Sequence, residues 1–183
     1  MFLQAIPNSL NTMRSCILLT PLALLWSFHG LGQDSVRETC MTPIRLFSEY
    51  EAESNALKEM QSGAETQRDM IQSTVNLEGY WDGVLNEVYQ DLIHTLECLA
   101  TENDEEWNEG PDGTNTYLKM IEVLRKGQRA WVQVRDSAAD FGYLEFYPGS
   151  MANFVRPAIL LSKTIERTEE LLQMNNNLKD PGH

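Results

Sequence analysis

The sequence predicts an all-α protein: a small bundle of about four helices behind an N-terminal signal peptide. Three observations carry this expectation. Apolar residues recur at three- and four-residue spacing, most plainly at Leu85, Val88, Leu92, Leu96 and Leu99. The alternating apolar and polar pattern of half-buried strands is nearly absent. Turn-forming residues cluster in a few short stretches and leave long uninterrupted segments between them. A chain of 183 residues with 42% hydrophobic content can bury one core.

Residues 1–32 read as the signal peptide. Arg14 precedes the apolar run Ile17 to Trp26, too short to span a bilayer comfortably but suited to a signal core. Gly30 and Gly32 place small residues before Gln33, which predicts cleavage between Gly32 and Gln33. A buried N-terminal helix or a retained anchor is the alternative. Cys16 lies before the apolar core, where it cannot take a lipid anchor. No later segment predicts a stable membrane span, so the expected location is periplasmic or secreted.

Residues 33–65 form an N-terminal helical extension. Thr42 and Pro43 suggest an N-cap followed by Pro at the first helical position. Ile44, Phe47, Leu57 and Met60 give a sparse apolar side running to about Gly63. The second helix spans about Thr66 to Ala100, with Gly79 and Gly83 predicting a kink or break. Residues 101–116 form an acidic loop, where Gly-Pro and Asp-Gly interrupt any helix. A third helix runs from about Tyr117 to Phe141. After Tyr147-Pro148-Gly149, Ser150 is a candidate cap for a last helix to about Met174, with Pro157 expected to kink it or mark its true start. Residues 175–183 are expected to fray as a flexible tail.

Charge narrows the function classes. The chain has 27 acidic residues against 14 Lys plus Arg, a net charge of −13. Removing residues 1–32 deletes one base, Arg14, leaving 13 bases against 27 acids and a charge of −14. A nucleic-acid backbone would be repelled and a cationic partner attracted. Solubility alone is the other reading of the same charge. Asp104, Glu105 and Glu106 flank Trp107, an arrangement that reads as a candidate partner-binding surface or as an aromatic packed over a helix end. Cleavage leaves Cys40 and Cys98; their spacing leaves a disulfide and two free thiols equally open.

No catalytic, cofactor or metal site is predicted. His29 falls in the signal, His183 is the last residue, and His94 stands alone. Zinc-ligand spacing, a phosphate-binding Gly loop and a nucleophile elbow are all missing from the sequence. The acidic loop does not have EF-hand spacing.

The third helix is unusual because Gln128 and Arg135 share a stripe with Ile121, Leu124 and Trp131. A buried guanidinium needs a carboxylate. Asp82 is the expected partner, while Asp136 is expected to point elsewhere. If that pair is buried, Arg135→Ala should cost about 3–5 kcal/mol. A core-pinning network and a ligand-binding role both fit.

Three elements in order resemble a known family. Asp82-Gly83-Val84-Leu85-Asn86-Glu87-Val88-Tyr89 is similar to its "AD-x-x-LN-x-x-Y" element. Leu124 to Asp136, with Gln128, Trp131 and Arg135, resembles "L-x-x-x-QRAW-x-x-x-RD". Gly149-Ser150 and then Thr164, Arg167 and Leu171 resemble "GS … T-x-x-RT-x-x-L". Together they resemble the lysozyme inhibitor LprI N-terminal domain family, small helical domains of exported bacterial proteins. The resemblance assigns an LprI-like helical domain to residues 66–174. It implies Asp82, Leu85, Asn86, Tyr89, Gln128, Trp131, Arg135, Asp136, Thr164 and Arg167 as motif residues, and a cationic lysozyme as the partner. The family's usual cysteine positions hold roughly Ser73, Ala139 and Ile159, so its disulfides are absent. The alternative to inhibition is a non-enzymatic cell-envelope structural or assembly protein.

Overall fold

The structure, a computed structural model, describes residues 45–63, 66–101 and 113–179. Expectations for residues 1–32, Cys40, Thr42, Pro43, residues 102–112 and the end of the tail fall outside those residues. The described part is an all-α bundle of four helices: α1 Phe47–Met60, α2 Gln67–Thr101, α3 Thr116–Phe146 and α4 Ala152–Lys179. None of them is long and apolar enough to cross a membrane.

α2 is the central element. Its apolar stripe buries Trp81, Leu85, Val88, Leu92 and Leu96, and it packs most extensively on α4, then on α3 and α1. Leu171 and Leu172 of α4, Ile121 of α3 and Tyr50 of α1 close the same cluster. The expected break at Gly79 and Gly83 does not occur: both lie on the exposed side of a continuous 35-residue helix. Tertiary burial of Leu77, Trp81, Val84 and Leu85 on the opposite side outweighs the low helix propensity of the two glycines. Open space surrounds the position of a Cβ at either glycine. Gly79→Ala and Gly83→Ala should therefore each stabilise the fold by about 0.5–1 kcal/mol. A rise in the urea midpoint at unchanged m-value checks this.

α1 begins at Phe47. Arg45 and Leu46 are non-helical, and the Leu46 N–H donates to Glu49 Oε2 at 2.9 Å, which closes the first turn. The helix lies antiparallel along α2. The Tyr50 hydroxyl donates to Glu87 Oε1 at 2.9 Å, Trp81 Nε1 donates to Ser54 Oγ at 3.0 Å, and Ser73 Oγ donates to Gln61 Oε1 at 2.6 Å. As residue numbers rise along α1, their partners fall along α2.

The start of α3 is fixed by Asn115. Its Oδ1 accepts from the N–H groups of Tyr117 (3.0 Å) and Leu118 (3.2 Å), and its Nδ2 donates to the Ala100 carbonyl at 3.1 Å. One side chain thus caps α3 and holds it to the last turn of α2. Asn115→Ala should cost about 1–2 kcal/mol, measured by chemical denaturation. Gly113, with φ +75°, supplies the left-handed turn before it.

α3 continues to Phe146, past the expected end at Phe141. Gly142 is a packing glycine, not a terminator: a Cβ there would collide with Ile159 Cδ1 and approach Val155 Cγ1 to 3.2 Å. Its absence lets α3 and α4 approach closely. α4 starts at Ala152, two residues beyond Ser150, whose carbonyl instead accepts from Gln67 Nε2 at 2.7 Å. Pro157 sits in the second turn, and the helix runs through it. The donor it lacks would have bonded the Asn153 carbonyl, on a residue exposed to water. The expected fraying after Met174 is also overturned as far as Lys179. Asn175 is fully buried, and Leu178 packs on the core.

Candidate functional site: a tryptophan with two arginines, beside an apolar groove

α3 turns Gln128, Trp131 and Arg135 toward α2 and α4 because these positions follow Ile121 and Leu124 at helical spacing. The Arg135 side chain is only 13% exposed. Its Nη1 donates to Asp82 Oδ1 at 3.2 Å and to Thr164 Oγ1 at 3.4 Å. Asp136 does not point away: its Oδ1 accepts from Arg135 Nε at 3.0 Å. Both carboxylates are about half exposed, so water shares in their solvation.

A second arginine completes the arrangement. Arg167 Nε donates to Gln128 Oε1 at 3.0 Å, and its Nη1 donates to Glu170 Oε2 at 2.8 Å. Both guanidinium groups lie over the Trp131 ring, Arg135 at 5.2 Å and Arg167 at 6.0 Å from its centroid. Each cation faces the π-system within attractive range. Thr164, fully buried, anchors the α4 side and accepts at its carbonyl from Thr168 Oγ1 at 2.8 Å. One network thereby joins α2, α3 and α4. Nearby, burial together with the Asp82 charge raises the Glu78 carboxyl above its ordinary pKa.

The other motif residues on α2 have separate roles. Leu85 is in the core and Tyr89 packs against it. Exposed Asn86 donates through Nδ2 to the Asp82 carbonyl at 2.8 Å and to its Oδ2 at 3.4 Å, which orients that side chain toward Arg135. Sequence reasoning missed Trp81, which is 2% exposed and lies between Phe47 and Tyr80 at ring distances of 5.6 and 5.8 Å. Its place at the head of the α2 stripe was a usable signal. The bond to Ser54 was not, because it links residues 27 positions apart.

An open groove of about 910 Å³ runs between α2, α3 and α4. Its walls include Leu92 and Leu96, Val123 and Leu124, and Met174 and Leu178. Arg167 also lines it, so the paired-arginine network borders the groove directly. Thr114 and Thr116 place its mouth beside the point where the chain re-enters α3 after residues 102–112. Such a surface can take up apolar side chains of a partner while a polar edge orients them. The sequence did not predict it, because Val123 is 61% exposed and lies off the α3 stripe.

Among the described residues, no group of three or more His, Cys, Asp or Glu side chains could hold a metal ion. His94 is exposed, with Nε2 3.8 Å from Cys98 Sγ. Cys98 is disulfide-bonded. Asp104, Glu105, Glu106, Trp107 and Cys40 lie outside the described residues.

Comparison with known proteins points the same way as the motifs. A protein of Rhizobium meliloti (strain 1021), described as uncharacterized, is 28% identical over 93 residues. That match covers 51% of this chain and 62% of the relative, so the chain spans less than two thirds of the relative's length. No solved structure matches the chain. The family model for lysozyme inhibitor LprI matches residues 58–171, a stretch that contains α2, α3, most of α4 and every residue of the paired-arginine network. A match over more than half of the chain places it: this protein belongs to the lysozyme inhibitor LprI family.

Proposed function

We propose that this protein is an exported, non-catalytic binding protein that captures and inhibits a cationic lysozyme-like hydrolase in the periplasm or outside the cell. The family match over residues 58–171 carries the reading. The net charge of −13 supports it, because an acidic protein accelerates its own encounter with a basic enzyme. The groove supports it as well, since an apolar recess can retain a partner after charge has delivered it. Within this reading, Asp104, Glu105 and Glu106 steer the approach and Trp107 anchors the complex.

Surface plasmon resonance with a basic lysozyme tests the proposal. The association rate should fall on the order of tenfold from low to high salt, because exposed charges separated by more than about 8 Å are screened at physiological ionic strength. Asp104→Asn, Glu105→Gln and Glu106→Gln together should slow association while leaving the helical signal intact. Trp107→Ala should chiefly speed dissociation. No binding at low salt would overturn the inhibitor reading in favour of an envelope-assembly role.

A further inference from the structure

α3 carries a second stripe that the core does not use. From Met120 the positions Val123, Gly127 and Ala130 follow at alternating spacings of three and four residues, and the series continues through Val134, Ser137 and Phe141 to Leu144. All of these residues are exposed and none is charged. The large ones in the second half are bare: Val134 is 67%, Phe141 71% and Leu144 66% exposed. Single apolar residues on a surface are ordinary, but a heptad seam about 36 Å long is the pattern by which one helix receives another.

We propose that this seam pairs with the same seam of a second copy of the chain, antiparallel, in a two-fold symmetric dimer. Charge selects both the partner and the direction. The first half of α3 carries Lys119, Arg125, Lys126 and Arg129 against Glu122, and the second half carries Asp136, Asp140 and Glu145 against Arg135. Antiparallel pairing lays the basic half of each helix along the acidic half of the other, whereas parallel pairing sets like against like. Lys119 and Asp140 have intrachain partners, Glu122 and Arg156, each at 2.9 Å. These are surface pairs with side chains about half exposed or more, so sharing them with a second copy costs little.

Shape agrees with charge. When the antiparallel layers coincide, Ala130 faces Val134 of the second copy and Gly127 faces its Ser137, so small residues at the centre let the helix axes approach to about 8 Å. Toward the ends, Val123 faces Phe141 of the second copy and Met120 faces its Leu144. Met120, Val123 and Gly127 are also walls of the groove between α2, α3 and α4. Two bulky exposed side chains of each copy thereby enter the apolar groove of the other, a reciprocal exchange of the kind an isologous interface requires. The groove lining includes Lys119 and Arg167 and no carboxylate, so a chain of charge −13 meets itself where it is least acidic. Seam, flanks and groove together bury about 800 Å² per copy, the size of a standard stable interface. The inference goes beyond the inhibitor reading and does not need it; where both hold, the second copy and the hydrolase compete for the groove.

Sedimentation velocity of the purified protein, without any hydrolase, tests the pairing. The expected result is a monomer–dimer equilibrium in the micromolar range. Phe141→Glu and Val134→Glu should each raise the dissociation constant on the order of a hundredfold while leaving the helical signal unchanged, because both residues are exposed in the monomer. Met60→Glu, at a still more exposed position on α1, should leave the equilibrium as it is. Oxidative cross-linking, with the native chain as background, reads the direction. Gln133 falls beside the two-fold axis, so Gln133→Cys should link to its own copy and Met120→Cys should not. A monomer at every concentration, a dimer indifferent to both Glu variants, or efficient linking through Met120→Cys would overturn the proposal. So would a native monomer whose seam is covered only when a basic lysozyme is added, which would assign the face to the hydrolase. Self-association without any binding of lysozyme would support the pairing while removing the inhibitor reading.

Discussion

Trp81→Ala should cost about 3–5 kcal/mol and loosen α1 from the bundle. The indole is almost wholly buried where α1 meets α2, between Phe47 and Tyr80. Truncation removes its buried apolar surface and leaves a cavity that rigid helices cannot fully close. It also strips Ser54 Oγ, on a residue only 2% exposed, of the indole N–H that donates to it. Guanidinium denaturation checks the magnitude, and limited proteolysis checks the location: new cleavage should appear in residues 47–63 before the other helices are cut. A loss below about 1 kcal/mol would mean that the site is not the close-packed junction described.

Arg135→Ala should be the next largest loss, about 2–3 kcal/mol. This is below the 3–5 kcal/mol expected of a fully buried pair, for a structural reason. The guanidinium is 13% exposed, but Asp82 and Asp136 are each 46% exposed and regain water when it leaves. What is lost is the packing over Trp131 and the partner of buried Thr164. Asp82→Asn should cost less, because Arg135 keeps Asp136. Equal losses for the two variants, measured in urea, would show that Asp82 and not the shared network holds the arginine.

The sequence made the long periodic elements legible because their pattern is local. Leu85, Val88, Leu92, Leu96 and Leu99 needed only helical spacing, and the stripe through Ile121 and Trp131 marked the inward side of α3. The candidate site was partly legible for the same reason: a guanidinium on an apolar stripe demands an acid, and Asp82 lies opposite it at 3.2 Å. The remainder depended on tertiary context. Gly142 looks like a helix end, yet its missing side chain is what lets α3 approach Ile159 and Val155. Asn175 looks like part of a polar tail, yet it is fully buried, with neither side-chain amide atom hydrogen-bonded. That local cost is tolerated because Leu171, Leu172 and Leu178 on the same helix join the core. Gly79 and Gly83 look like a break, and burial of the opposite face of α2 overrides them. The groove is the least legible feature, since three helices from distant parts of the chain line it.

If the proposed function holds, this LprI-family bundle stops a cationic lysozyme from working. The direct measurement is peptidoglycan hydrolysis by a basic lysozyme at low ionic strength, titrated with the chain beginning at Gln33. Hydrolysis is expected to fall progressively to near zero as the protein approaches and passes the enzyme concentration, and to recover when salt is added. Undiminished hydrolysis in a large excess of folded protein at low salt would contradict it.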